Sequence, residues 1–394
     1  MVRASAWKFV AAESKEIMLV VGEASGDMHG AQLVEALHAR DAGIKVFGVA
    51  GERLQRMNFE ALFSVARLTG MGLVELAGNL KNIWRAYQLL KRALQERRPS
   101  LLVLIDFPEF NLRLARLAKS LKVPVLYYVS PQIWAWRRGR VRQVARWVDR
   151  MAVVFPFEVP FYERHGVNVT FVGHPLLESV RSSQPREQVL ARLGLDPAKT
   201  TIALLPGSRR AEVERHLPVL RDAAARLREE REVQFVCLRA STIERAAVES
   251  ALRDPALPMA IAETDHYDVI HAADLVWTAS GTATLETALL GRPMIIVYRL
   301  SWLTYALARL LVRVDHIGMV NLIARERIAP ELIQNEANPA RIVAESRLLL
   351  DDRNLRAAVG EKLAKLRERL GAPGAAGRVA DLAIAMMAEK AKTT

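Results

Sequence analysis

Three short stretches carry residue types suited to ligand chemistry, two of them to holding phosphates. In TASGTATLETALLGRPMIIVYR (278–299), the small residues Ala279, Ser280, Gly281 and Thr282 stand where an apolar strand hands over to a helix. Backbone N–H groups at such a helix start lack intrahelical partners and carry partial positive charge, so they suit an anion. Ser280 or Thr282 is spaced to cap that helix. Glu286, in its early turns, is able to accept two hydrogen bonds from a sugar diol, as acidic residues do for ribose in dinucleotide folds. An ordinary strand–helix corner with a solvated Glu286 accounts for the same pattern. In TIALLPGSRR (201–210), a strand runs into Gly207, Ser208 and Arg209, a small-residue turn followed by guanidinium groups. That is a diphosphate cradle without the Gly-Lys-Ser/Thr ending of a Walker loop. In LLVLIDFPEFN (101–111), Asp106 directly follows five apolar residues. It therefore stands at the carboxyl end of a strand, where open α/β sheets bind their ligands. The alternative for Asp106 is a helix N-cap, although capping prefers the residue next to the helix and residues 108–111 intervene.

The surrounding elements are alternating strands and helices. IMLVVG (17–22) is a continuous apolar run, as expected of a buried parallel strand, and a polar Gly-rich turn and a helix follow it. Gly22, Gly26 and Gly30 do not make a GxGxxG fingerprint. KVFGVAG, a long helix from about Leu80 that ends before Pro99, LLVLIDFPEFN and VPVLYYVSPQIWAW continue the series. SSQPREQVLARLGLDPAKT (182–200) is polar and punctuated by Pro and Gly, as a domain boundary would be. TIALLPGSRR, VQFVCLRAS, MAIAET and DLVWTASG then begin a second series. Two successive βαβ series predict an α/β protein of two doubly wound domains facing a cleft.

With 394 residues and a formal charge of +13, the chain is large enough for two cores and favours an anionic partner. RRGRVRQVARWVDR (137–150) concentrates that charge on one predicted helix. Arg138, Arg142 and Arg146 there suit a solvated face, phosphates or acidic lipid headgroups. Trp134, Trp136 and Trp147 are able to stack on bases, but they do not interleave along a β surface, so nucleic acid is not expected. LSWLTYALARLLVRV (300–314) is too short and too charged to span a bilayer, and reads equally as a buried or an interfacial helix. His174, after a strand and before Pro175, reads as structural or, beside a domain crossing, as functional. The single Cys237 lies in an apolar strand pattern and reads as a buried thiol. No metal-ligand spacing and no Gly-x-Ser-x-Gly elbow are present, so neither a catalytic metal nor a cofactor is expected. MVRASAWKFVAAESKE lacks a long apolar run, so no secretory leader is expected and the chain reads as cytoplasmic.

Taken together, GEASGD (22–27), MGLVE (71–75), IDFPEFN (105–111), YVSPQIWAWR (128–137), FVGHPL (171–176), LLPGSR (204–209), ASGTATLE (279–286) and NLIA…PELIQ (321–334) resemble lipid-A-disaccharide synthases, in family order. The resemblance implies a GT-B glycosyltransferase with two Rossmann-like domains and C-terminal helices crossing back. It implies an extension over 1–16, an acceptor-side domain over 17–182, a UDP-sugar domain over 199–350 and returning helices over 351–394. The implied reaction moves 2,3-diacylglucosamine from its UDP derivative to the 6-hydroxyl of 2,3-diacylglucosamine 1-phosphate. The products are a β-1,6 disaccharide 1-phosphate and UDP, made on the cytoplasmic face of a Gram-negative inner membrane.

Inversion at the anomeric carbon needs a base on the acceptor hydroxyl. Asp106 is the first candidate, with Glu23 and Asp27 behind it. Gly207, Ser208 and Arg209 would hold the diphosphate and Glu286 the ribose, with Ser280, Gly281 and Thr282 lining the phosphates. Asn321 is carried over on the donor side, with His174 and Gln334 as further candidates. Trp134, Trp136, Arg138, Arg142 and Arg146 would face the acceptor and the anionic membrane surface. A homodimer is left open. Two departures stand out: the family's Leu-Pro-Asn is Met319-Val320-Asn321 here, and its Ala-Gly-Arg is Ala324-Arg325-Glu326. The nearest rivals are another UDP-sugar GT-B enzyme, such as a 2-epimerase, and a silent UDP-sugar-binding scaffold.

Overall fold

The computed structural model describes residues 15–68, 76–135, 138–252, 254, 257, 259–311 and 315–393. Trp136, the side chain of Arg138 and the motif at 71–75 lie outside the described residues. The chain divides into two compact units, one formed by Met1–Pro175 with Gly374–Thr394 and the other by Leu176–Pro373.

The first unit is built on a parallel sheet of seven strands. They are β1 (Glu16–Val21), β2 (Lys45–Ala50), β3 (Glu60–Ser64), β4 (Leu101–Ile105), β5 (Val125–Tyr128), β6 (Arg150–Val153) and β7 (Val169–Phe171), in the order β3-β2-β1-β4-β5-β6-β7. The second unit holds six: β8 (Thr200–Leu205), β9 (Val233–Leu238), β10 (Met259–Ala262), β11 (Leu275–Thr278), β12 (Met294–Tyr298) and β13 (Glu331–Ile333), in the order β10-β9-β8-β11-β12-β13. Helices cover both faces of such sheets, which is why the central strands read as unbroken apolar runs. Ile17 to Val21 and Leu101 to Ile105 are all essentially fully buried. Cys237 is buried within β9, and burial pushes its thiol up to about 12.

In each sheet the strand order reverses once, between β1 and β4 and between β8 and β11. Crossover helices leave such a point toward opposite faces and open a crevice at the strand ends. The register aligns the loops there. Val21 pairs with Ile105, so Gly22 and Asp106 follow from adjacent strands. Leu205 pairs with Thr278, so the turn at 206–209 and the turn at 279–281 do likewise.

Two expectations about domain limits are corrected. The chain leaves the first unit after Pro175, and Ser182, Ser183 and Gln184 are already part of the second. There the Asp268 carboxylate accepts hydrogen bonds from the Ser182 hydroxyl, from the Ser183 backbone and hydroxyl, and from the Gln184 backbone. At the other end, only the helix Ala375–Thr393 returns to the first unit. It buries Val379, Ala380 and Ala383, packs on the helix Ala24–Arg40 and pairs Asp381 with Arg40. The helix Arg353–Arg369 stays with the second unit, on Thr282–Leu289, Met319–Ala324 and Pro339–Asp351.

Both departures from the family pattern fall at the ends of the short helix Met319–Ala324. Val320 is the second helical residue, where a proline is tolerated because no intrahelical bond needs its N–H. Arg325 ends the helix in the left-handed region at φ 56°, ψ 29°, a conformation glycine adopts freely. The turn is therefore kept without the glycine, at a local cost of about 1–2 kcal/mol. Arg325→Gly relieves that strain while loosening the unfolded chain. It should raise stability by up to about 1 kcal/mol in denaturant titration; a loss of stability would mean that the arginine side chain makes contacts that matter more than the strain.

Candidate functional site

In the first unit, Asp106 leaves β4 at φ 51° and Phe107 follows at φ 49°. Two consecutive non-glycine residues in the left-handed region reverse the chain from strand to helix within one step. The helix Pro108–Ser120 starts at once, with Phe107 as its N-cap and no side-chain cap. Asp106 is therefore not the cap. The strained turn is held by the buried Asn111, whose amide donates to the carbonyls of Ile105 (3.2 Å) and Asp106 (2.7 Å). The Tyr127 hydroxyl donates to the same Asp106 carbonyl. Gly22 makes room: a Cβ there would lie 2.2 Å from that of Phe107. Burial, then the neighbouring Glu23 charge, raise the Asp106 carboxyl to about 6. A carboxylate with that value is suited to act as a base near neutral pH.

Asp27, a candidate base in the sequence, is corrected to a structural role. Its buried carboxylate accepts from the backbone N–H groups of Gly51 (2.7 Å), Arg53 (2.8 Å) and Leu54 (3.3 Å), capping the helix Glu52–Gln55. Glu23 is exposed and is close enough to raise Asp106. His174 is buried in this unit against Phe155. Burial and then His29 depress its imidazole to about 3, so it is neutral.

Trp134 is also corrected. It is buried, and its indole N–H donates to Glu158 at 3.1 Å, so it forms no part of a membrane surface. Burial raises Glu158 to about 8, against the hydrogen bonds from Phe155, Ser130 and Trp134 that hold it. It anchors the loop that follows β5. Arg142 and Arg146 are exposed on the helix Val141–Trp147, whose Val141 and Val144 face the core.

In the second unit, the two phosphate-type loops meet. Gly207, Ser208, Ser280, Gly281, Thr282 and Glu286 line one cavity of about 240 Å³ with Leu238, Ala240 and His266. Two helices start at it, Arg210–Glu230 and Thr282–Leu289. Neither has a side-chain cap, so their first N–H groups remain available to an anion. This corrects the expected capping. Gly281 holds the cap position at φ 146°, while the Ser280 hydroxyl donates to the Ile317 carbonyl at 2.9 Å. Gly207 has φ 122°, and a Cβ there would lie 2.6 Å from the Glu212 carboxylate.

Arg209 is not part of the lining. It is largely exposed and pairs with Glu212 at 3.2 Å. Burial raises the Glu286 carboxyl, and the Tyr267 hydroxyl opposes that by donating at 3.3 Å.

Sequence reading missed His216, which ties the loop after β8 to the end of β12. Its Nδ1 lies 2.7 Å from the Pro206 carbonyl, and its Nε2 accepts from the Arg299 backbone at 2.9 Å. That pair of contacts requires the neutral Nδ1–H tautomer, in keeping with a pKa lowered by burial. Its only sequence signal is a histidine ten residues beyond a proline, which is no motif. His266 and Glu212, both in the cavity wall, carried no signal either.

Asn321 is buried and spends its side chain within the fold. Its amide donates to Ala329 and Glu331, and its oxygen accepts from Ile328 and Ala329. All four of its hydrogen-bonding positions are thus occupied within the fold. Gln334 spends its amide on both sides of Leu300, accepting from its N–H at 2.7 Å and donating to its carbonyl at 3.2 Å.

A family model described as Lipid-A-disaccharide synthetase matches residues 17–376. The lipid-A-disaccharide synthase of Geobacter metallireducens is 45% identical over 380 residues, covering 96% of this chain and 99% of that protein. That of Syntrophus aciditrophicus is 46% identical over 376 residues, covering 95% and 98%. Among solved structures, UDP-GlcNAc 2-epimerase from Neisseria meningitidis bound to UDP-GlcNAc superposes with a TM-score of 0.66 at 12% identity, covering 93% of this chain and 99% of that one. The calicheamicin glycosyltransferase CalG4 gives 0.61 at 16% identity, covering 96% and 99%. At such low identity these structures speak to the fold, a GT-B arrangement of two Rossmann-like units, and do not separate epimerase from transferase. The sequence relatives make that separation.

The half-buried carboxylate of Asp106 generates a stability prediction. Its folded value, about 6, stands above the ordinary 3.8. Ionisation is therefore harder in the folded state. The penalty is absent below the unfolded value, grows as pH rises and is complete above about 6, where it amounts to roughly 3 kcal/mol. Asp106→Asn should accordingly raise the melting temperature at pH 8 and have little effect at pH 4. Equal melting of the two proteins at pH 8 would show that the carboxylate is not held desolvated.

Proposed function

The chain belongs to the lipid-A-disaccharide synthase family, and on that premise we propose how its own residues carry out the reaction. It is a glycosyltransferase of lipid A biosynthesis. It joins 2,3-diacylglucosamine, delivered as the UDP derivative, to the 6-hydroxyl of 2,3-diacylglucosamine 1-phosphate.

In our reading the second unit takes the donor. The carrying observation is that two loops 73 residues apart in sequence, through Gly207 and Ser208 of one and residues 279–282 of the other, line one cavity with two uncapped helix starts. Backbone N–H groups of these loops hold the diphosphate. They stabilise the charge that grows on UDP as the glycosidic bond breaks, a role worth several kcal/mol in comparable sites. Glu286 accepts from the ribose hydroxyls; its raised pKa reflects a desolvated carboxylate ready to be relieved by donors. Arg209 joins the diphosphate by exchanging its Glu212 partner for phosphate.

The first unit takes the acceptor. Asp106 receives the proton of the 6-hydroxyl as that oxygen attacks the anomeric carbon, and the configuration inverts. Glu23 is the alternative base. Its charge also helps to hold Asp106 near the value that base catalysis at neutral pH requires.

No helix among the described residues is long and apolar enough to cross a membrane. We propose peripheral attachment to the anionic cytoplasmic face of the inner membrane. The net charge of +13, the exposed Arg142 and Arg146, and the exposed Trp84 and Trp302 support this.

The test is an assay with both substrates, reading UDP and disaccharide by mass spectrometry. Disaccharide that requires both is expected; UDP release alone would redirect the reading to another acceptor or to hydrolysis. Asp106→Asn should lower kcat by about 10²–10⁴-fold with UDP affinity nearly unchanged. In the unaltered enzyme kcat/KM should fall as pH drops below about 6, because the base works only when ionised. Unaltered turnover in the variant would remove Asp106 from the mechanism. Glu286→Gln should weaken UDP binding by about tenfold in calorimetry; undiminished affinity would return Glu286 to a structural role.

A further inference from the structure

A cavity of about 780 Å³ in the first unit lies beyond the crevice beside Asp106. It is a groove bounded by the helices Leu76–Arg97, Pro108–Ser120 and Val141–Trp147. Its size falls within the range of sites that enclose a small molecule. It begins at Pro108 and Glu109, two and three residues beyond Asp106, and follows one face of the helix Pro108–Ser120 for about 18 Å to Ser120.

The lining combines two chemistries. Tyr87, Leu112, Leu117 and Trp147 supply apolar and aromatic surface. Arg113, Arg116 and Arg140 supply charge. Arg140 is engaged with Glu109 at 2.7 Å, the one acidic side chain in the lining. Arg113 and Arg116 are exposed, and neither forms an ion pair among the described residues; Arg116 sits 5.9 Å from the Trp147 ring. Two guanidinium groups without a carboxylate, over a floor of leucine and tryptophan, fit a ligand with an anionic head on an apolar body. A soluble nucleotide would leave the apolar floor unused, and a neutral lipid would leave the arginines unanswered. Guanidinium groups bind phosphate through paired hydrogen bonds.

We propose that this groove is the acceptor's phosphate-and-acyl site. Arg113 and Arg116 hold the phosphate of the phosphorylated acyl sugar, and one acyl chain lies against Leu112, Leu117 and Trp147. The proposal rests on the reaction assigned above and deepens it. The distance is suitable: Arg113 stands roughly 7–8 Å along the helix from Pro108, so a sugar with its 6-hydroxyl at Asp106 directs its opposite, phosphorylated end toward these arginines.

The experiment uses the full chain and the double variant Arg113→Gln/Arg116→Gln, with 2,3-diacylglucosamine 1-phosphate and its dephosphorylated counterpart as acceptors in detergent micelles. Both arginines are exposed, so melting temperature should be unchanged. The variant should raise the KM for the phosphorylated acceptor by about tenfold or more, leave the KM for the UDP donor unchanged, and treat the dephosphorylated acceptor as the unaltered enzyme does. An unchanged acceptor KM overturns the proposal, as does an equal loss with both acceptors. So does an unchanged KM accompanied by weaker binding to phosphatidylglycerol vesicles, which would assign the arginines to membrane headgroups. Calorimetric binding of the phosphorylated acceptor alone separates this proposal from the reaction. An enzyme that makes no disaccharide but loses acceptor binding in the variant keeps the groove and sinks the reaction reading.

Discussion

The first unit's candidate chemistry depends on a backbone turn that its own residues disfavour. A parallel strand must end and a helix begin within two residues after Ile105, and both residues, Asp106 and Phe107, adopt positive φ without being glycine. Such conformations cost of order 1–3 kcal/mol each and persist only where the surroundings overdetermine them. Here the surroundings are the Asn111 amide, the Tyr127 hydroxyl and the space left by Gly22. A glycine at 106 would remove the strain together with the carboxylate. The fold keeps the acid and distributes the cost over a strand, a helix and a neighbouring loop.

The second unit solves a related problem in the opposite way. Its two ligand-facing turns use glycine at the strained positions, Gly207 and Gly281, and put small side chains beside them. What matters there is the backbone itself, whose N–H groups must be approached closely. The acidic groups in the wall, Glu212 and Glu286, oppose the helix-start potential, so an incoming anion is favoured where the amides point and a hydroxyl-bearing group where the carboxylates do. Burial of Glu286 sharpens that contrast.

The legibility of the site followed the physics. Strand ends carrying Asp106, Gly207 and Ser280 were readable because a parallel strand is an apolar run, and the first polar residue after it marks the sheet's carboxyl edge. The loops at 206–209 and 279–282 were each readable as phosphate-type turns, and the adjacency of β8 and β11 brings them together. What stayed hidden was which polar residues spend their hydrogen bonds internally. Asp27, Asn321 and Trp134 look like ligand contacts in a motif, yet each is consumed by nearby backbone or by a buried partner. Nothing local in sequence distinguishes a carboxylate that caps a loop 24 residues away from one that faces a substrate. His216 was invisible for the same reason, since its partners come from two different strand ends. The return of the last helix alone was likewise hidden, because both terminal helices are amphipathic and only packing assigns each to its unit.

That returning helix has a consequence for synthesis. The helix Ala24–Arg40 presents one face to Ala375–Thr393, and the Gly377 position admits the Arg40 side chain at close range. Every strand of the first sheet has left the ribosome by Phe171, but the helix that completes its outer layer follows only after the whole second unit. At bacterial-type elongation of about 5–20 residues per second, the wait lasts roughly 10–40 s. During that interval the nascent first unit carries an uncovered apolar helix face. The order of the genetic message thus leaves that face of the first unit open until the final helix arrives.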